Sequence, residues 1–207
     1  MSKFLVNGIH LNVEIEGEGE PLLLIHGLGG NIDQMRADMK WLSTKYKTIA
    51  YDCRGHGNSD KPASYTLNDH IQDAKALLEE LRIEKTRVIG VSGGSYIAQG
   101  LAADYPDAIH KLILVVPKSH GTKSSVQLFW ERHAVELAGM SEAEQMSYFL
   151  NHVFAPGFLE KIEPKIVQII LRPEPILSAG ESTAANKAFH AFDLLCHQWE
   201  DGRTKSS

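Results

Sequence analysis

The chain opens with two short apolar stretches around an Asn-Gly pair, in "KFLVNGIHLNVEIEG". The runs on either side of Asn7-Gly8 predict a β-hairpin with strands over 3–6 and 9–15. After the polar "GEGE" comes "PLLLIHG", a continuous apolar run closed by glycine, the pattern of a strand buried on both faces. "YKTIAYD" (46–52), "TRVIGV" (86–91) and "IHKLILVVP" (109–117) read as strands too. Between them apolar residues recur at helical spacing. Ile32, Met35, Met39 and Leu42 mark a helix over 32–44, and Ile71, Ala74, Leu77, Leu78 and Leu81 mark one over 68–82. A third helix over 93–105 is stopped by Pro106. Strands alternating with helices predict the α/β class, a mostly parallel sheet with helices on both faces.

The pattern changes after Pro117. Residues 124–138, 141–154 and 158–171 are amphipathic helical stretches with no strand between them, and "RPEPIL" interrupts the series. A helix is expected again over 181–196, and "HQWEDGRTKSS" is polar and aperiodic. The expected organisation is a core over 1–118, a helical cap over 119–195 and a tail over 196–207.

Composition narrows the function. With 207 residues, 43% hydrophobic and 23% charged, the chain reads as an ordinary globular domain with a sizeable core. A net charge of -5 with scattered Lys and Arg argues against nucleic acid and anionic membranes as partners. No apolar run reaches the length of a membrane span, and the N-terminus has no apolar signal region. Two cysteines, Cys53 and Cys196, make no disulfide framework. A cytoplasmic location is the expectation.

The chemistry concentrates at "TRVIGVSGGSYIAQGLAADYP" (86–106). Gly90, Val91, Ser92, Gly93 and Gly94 satisfy G-x-S-x-G between a predicted strand and a predicted helix. A serine there projects at a strand's C-terminal end, with the next backbone N–H free to face a developing oxyanion. An N-capping serine in a glycine-rich turn is the plainer alternative. A nucleotide loop is disfavoured, since neither G-K-[ST] nor G-x-G-x-x-G is present. Ser95, one turn on, is expected to pack or cap. "HGLGG" (26–30) follows an earlier strand, and its N–H groups are candidates for the second half of an oxyanion hole. Asp52, Cys53 and His56 match no zinc spacing, and no metal or cofactor is expected.

"HGLGG", "DCRGHGNSDKP" and the serine corner, in this order, resemble the α/β-hydrolase superfamily, in particular its small bacterial esterase, lactonase and haloperoxidase-like branch. The resemblance is strong over residues 3 to about 117. It implies that Ser92 is the nucleophile and that Leu28, after His26-Gly27, and Gly93 supply the oxyanion N–H groups. Asp52, Arg54, Gly55, Gly57 and Ser59 match a loop that shapes the site floor. Gly93 and Ser95 depart from the family pattern, which usually has a bulkier residue and a glycine there.

The family's acid and histidine follow the cap in chain order, and neither is recognisable after "AFDLLC". Among the ten histidines, His120 and His197 are the remaining candidates for a base, and neither Asp193 nor Asp201 has a strong claim as acid. The chain therefore reads as a hydrolase of small carboxylic esters or lactones lacking its triad partners, whether through frameshift or early stop, as a fragment, or as a selected pseudoenzyme. A catalytically silent binding module that keeps the pocket is the rival. Phe129, Trp130, Met146, Phe149, Phe154 and Phe158 are expected mostly as cap core. The apolar strand over 109–117 is expected to form an exposed edge that promotes homo-oligomers.

Overall fold

A computed structural model describes residues 2–119, 123, 125–161 and 177–193. Two compact units divide the chain near residues 122 and 176. The first holds one six-stranded sheet. Strands β1 (Ser2–Val6) and β2 (Ile9–Glu16) form the predicted hairpin. Asn7 and Gly8 at its tip take φ of 45° and 76°, the positive pair that a two-residue turn needs to match strand twist.

Strands β3 (Glu20–Ile25), β4 (Tyr46–Tyr51), β5 (Thr86–Val91) and β6 (Ile109–Val115) complete the sheet, in the order β1-β2-β4-β3-β5-β6. The hairpin joins β4 antiparallel, and the pairs from β4 through β3 and β5 to β6 are parallel. Strand β3 is buried on both faces, as its unbroken apolar run requires. Leu23 and Ile25 enter one core and Leu22 and Leu24 the other, the period-2 alternation of a pleated strand.

Helices α2 (Leu67–Glu80) and α3 (Gly93–Asp104) cover the Leu23 face through Ile71, Ala74, Leu77, Ile97 and Leu101. Thr66 caps α2, exchanging hydrogen bonds with Asp69. The opposite face carries α1 (Arg36–Leu42), which buries Met39. The helix expected from residue 32 begins four residues later. Asn31 caps a short 3₁₀ turn over Ile32–Gln34 instead, because the Ile32 N–H is drawn to the Asp52 carboxylate at 2.8 Å.

The helix expected over 181–196 is α7 (Ala179–His190), started earlier by a capping box between Ser178 and Glu181. Sequence patterning grouped it with the cap, yet it packs in the first unit, burying Ala185, Ala188 and Phe189 against the sheet-covering helices. The second unit contains α4 (Ser125–Arg132), α5 (Glu142–Val153) and α6 (Phe158–Lys161). The helix expected over 124–138 stops at Arg132, and the chain reverses through Gly139 at φ 88° before Ser141 caps α5. Phe129 centres that unit's aromatic cluster, 5.3 Å from Trp130 and 5.1 Å from Phe149 between ring centroids. No described helix is long and apolar enough to cross a membrane.

Candidate active site

Strand β5 ends at Val91 and α3 begins at Gly93, so Ser92 alone makes the corner. It sits at φ 52°, ψ -117°, a conformation that costs an L-residue on the order of 1–3 kcal/mol. Hydrogen bonds on both sides hold it there. Its N–H donates to the Val115 carbonyl at 2.9 Å, and its own carbonyl accepts from the Ser95 N–H at 2.9 Å. The buried Ser95 hydroxyl donates to the same carbonyl, so Ser95 braces the corner. Gly90 and Gly94 let strand and helix close up: a Cβ on Gly90 would meet Ala98 at 2.8 Å, and one on Gly94 would run into the Ile25 and His26 carbonyls. Ser92 itself is exposed.

The loop after β3 comes to the same corner. A Cβ on Gly27 would lie 3.3 Å from Ser92 Cβ and 3.8 Å from its hydroxyl. A Cβ on Gly93 would lie 2.9 Å from the Leu28 nitrogen. Residues 27, 28, 92 and 93 thus lie together at one corner. His26 sets the direction of the Leu28 N–H. The Cys53 N–H donates to His26 Nε2 at 2.9 Å, which leaves the ring proton on Nδ1 to donate to the Gly27 carbonyl at 2.7 Å. The Gly30 N–H reaches the same carbonyl at 3.0 Å. In a trans peptide the C=O and the following N–H point opposite ways, so fixing the Gly27 oxygen also fixes the direction of the Leu28 N–H. Burial, reinforced by His56, lowers the His26 pKa to about 4, and the ring is neutral at ordinary pH.

The loop after β4 lies beneath. Asp52 is buried, and its carboxylate accepts from the Ile32 N–H, the Asn12 amide and the Asn58 N–H at 2.8, 2.9 and 2.8 Å. Ser59 donates to the Asp52 carbonyl at 2.6 Å. Arg54 makes a buried bidentate pair with Asp73 of α2 at 2.8 and 2.6 Å. This loop is committed to holding the strands, helix α2 and the 3₁₀ turn together.

His56 and His70 extend a buried column from His26, with ring centroids 5.3 and 6.2 Å apart along it. His56 Nδ1 donates to the Arg54 carbonyl at 2.9 Å. Among the described residues, neither nitrogen of His70 has a hydrogen-bond partner. Desolvation lowers the pKa of both rings. The burial of His70 comes from tertiary packing against Tyr65 and Phe189.

In the first unit no described histidine hydrogen-bonds the Ser92 hydroxyl. His10 pairs with Asp60 at the surface, 3.1 Å away. The β5–β6 register places Ile109 beside Thr86, so His110 lies at the end of the sheet remote from Ser92. His133 and His152 belong to the second unit's aromatic cluster. His120, His197, Cys196 and Asp201 lie outside the described residues. Among those described, no group of three His, Cys, Asp or Glu side chains could hold a metal. Patterning did not single out Phe189, although a Cβ on Gly93 would lie 3.0 Å from its ring. The glycine at 93, where the family resemblance implies a bulkier residue, was the available signal.

A strained serine between strand and helix, facing the loop after a neighbouring strand, defines the architecture of an α/β hydrolase. The family model described as "alpha/beta hydrolase fold" matches residues 20–155, and the chain belongs to that family. It is 35% identical over 111 residues to 2-(acetamidomethylene)succinate hydrolase of Mesorhizobium japonicum, covering 53% of this chain and 40% of that one. It is 29% identical over 191 residues to (E)-2-((N-methylformamido)methylene)succinate hydrolase of Acinetobacter baylyi, covering 90% and 69%. Among solved structures, a hydrolase from Pseudomonas aeruginosa superposes with a TM-score of 0.71 at 25% identity, over 94% of this chain and 74% of that one. The chain spans only 33% and 41% of the length of other curated relatives it matches.

Proposed function

We propose that the chain carries the nucleophile and oxyanion half of a serine hydrolase for small carboxylic esters or lactones. The observation behind this reading is the meeting of the Leu28 nitrogen with residue 93 beside the strained Ser92. A carbonyl placed over Ser92 would have its oxygen between two backbone N–H groups that need no reorganisation as charge develops. The Ser92 hydroxyl adds to the carbonyl carbon, and its proton passes to a base. The oxyanion forms against Leu28 and Gly93, the alkoxide leaves with a proton, and water repeats the addition to release the acid. The two succinate-derivative hydrolases support small substrates.

The base is the open element. No described histidine of the first unit hydrogen-bonds the Ser92 hydroxyl, and this favours weak turnover or, as a second reading, a binding module that keeps the pocket. Intact-mass analysis after treatment with a fluorophosphonate, with Ser92→Ala as control, tests the proposal. Stoichiometric labelling lost in the variant supports an activated Ser92. A folded protein that stays unlabelled rejects the nucleophile role and leaves the binding reading.

A further inference from the structure

Phe189 reaches the candidate oxyanion site from α7, about a hundred residues further along the chain. It is 2% exposed. Its ring lies 5.0 Å from His70 and 6.3 Å from Tyr96 between centroids, and edge-on to His56 at 6.3 Å. A side chain on Gly93 would start 3.0 Å from Phe189 Cε1, 2.9 Å from the Leu28 nitrogen and 3.2 Å from Leu28 Cβ. Gly93 is helical, with no positive φ, so what excludes a side chain there is occupied space rather than backbone strain. The ring of Phe189 fills the space that a larger residue at 93 would use.

The ring is held from several sides. Phe192 stacks on Tyr96 at 4.7 Å and 14°, fixing the C-terminal end of α7. At its other end Glu181 pairs with Lys61 at 2.9 Å, tying α7 to the loop after β4. An aromatic edge fixed beside both backbone donors keeps water from that side and gives the site a rigid apolar wall.

We infer that Phe189 is the specificity-determining residue of this site, a wall beside Gly93 and Leu28 that restricts the acyl group to short chains. The inference rests on the ester-hydrolase reading of Ser92, and its test is built so that the two fail separately. The full chain and Phe189→Leu, which keeps an apolar side chain in the core, are compared with p-nitrophenyl acetate and p-nitrophenyl hexanoate. Phe189→Ala serves as a second variant where it folds. The expected result is a rise of about tenfold or more in the hexanoate-to-acetate ratio of kcat/KM, the size of effect a few methylenes produce in an apolar pocket. An unchanged ratio in a folded Phe189→Leu overturns the wall. The second arm needs no turnover: acetate and hexanoate binding to each protein is measured by calorimetry. A gain in hexanoate affinity confined to the variant supports the wall even where neither protein hydrolyses ester, which would overturn the hydrolase reading alone. Equal hexanoate affinity in both proteins overturns the wall.

Discussion

The backbone N–H of Cys53 donates to Nε2 of His26 at 2.9 Å, and through this bond the loop after β4 holds the loop after β3 in place. With Nε2 occupied, Nδ1–H is committed to the Gly27 carbonyl, which fixes the Gly27–Leu28 peptide whose N–H is the proposed oxyanion donor. His26→Phe keeps a ring of similar shape and removes both bonds. The expected outcome is a fall in kcat for p-nitrophenyl acetate of about tenfold or more with a smaller change in KM, since a missing oxyanion donor costs about 10²–10³ and a misdirected one somewhat less. Steady-state kinetics with a thermal melt on the same samples checks this. A change in KM alone would mean that His26 serves packing only.

The His26–His56–His70 column makes stability depend on pH. All three pKa values are lowered by burial in the folded chain, that of His26 to about 4. The unfolded chain takes up protons near 6.5 while the folded chain does not, so stability falls as pH drops through 6.5 toward 4 and levels off below the folded pKa. Arg54 and Lys61, near the column, also oppose its protonation, while Asp52 and Glu181 favour it. Urea midpoints at pH 7, 6 and 5 should decline with a slope steeper than one proton. His70→Leu should flatten that slope and raise the pH 7 stability by about 1 kcal/mol, because it removes two buried nitrogens that have no partner among the described residues. An unchanged slope in that variant would show that His70 does not titrate with folding.

Much of this arrangement was legible in the residues. Asn7-Gly8 announced the hairpin, the unbroken run before His26 announced a central strand, and the glycines around Ser92 announced a tight strand-to-helix corner. Each is a local property of a few neighbouring residues. The rest depends on distant partners. The start of α1 was displaced by Asp52, twenty residues downstream of Ile32. The packing of α7 in the first unit and the contact of Phe189 with Gly93 leave no periodic trace, because apolar spacing says which face of a helix is buried and not what it is buried against.

Strand β6 ends at Val115 rather than at Pro117 because Val116 turns to φ 50°. A β-branched residue there is strained, and Val116 is 70% exposed, so little burial compensates. The strain lies one residue from the carbonyl that receives the Ser92 N–H. Val116→Gly should stabilise the chain by about 0.5–1 kcal/mol, the relief of the turn outweighing the added freedom of the unfolded chain. Equilibrium urea denaturation reads this directly. A destabilised variant would place the value of Val116 in its contacts.

The outer edge of β6 leads to a prediction about assembly. Its inner edge pairs with β5, and among the described residues no strand pairs with the other edge. Leu112 and Leu114 pack toward the core under α3, while Lys111, Ile113 and Val115 lie on the opposite face. Ile113 is 53% exposed and Val115 41%. An exposed apolar edge strand is a template for another strand, and Lys111 is the one charge among the β6 residues on that face to oppose it. The chain should therefore self-associate at micromolar concentration, and size-exclusion chromatography with light scattering should show a dimer or larger species. Ile113→Lys and Val115→Lys together should shift it to monomer and raise its solubility without disturbing the Ser92 corner, since neither side chain faces α3. A monodisperse wild-type monomer across that range would mean that the β6 edge is covered by other parts of the chain.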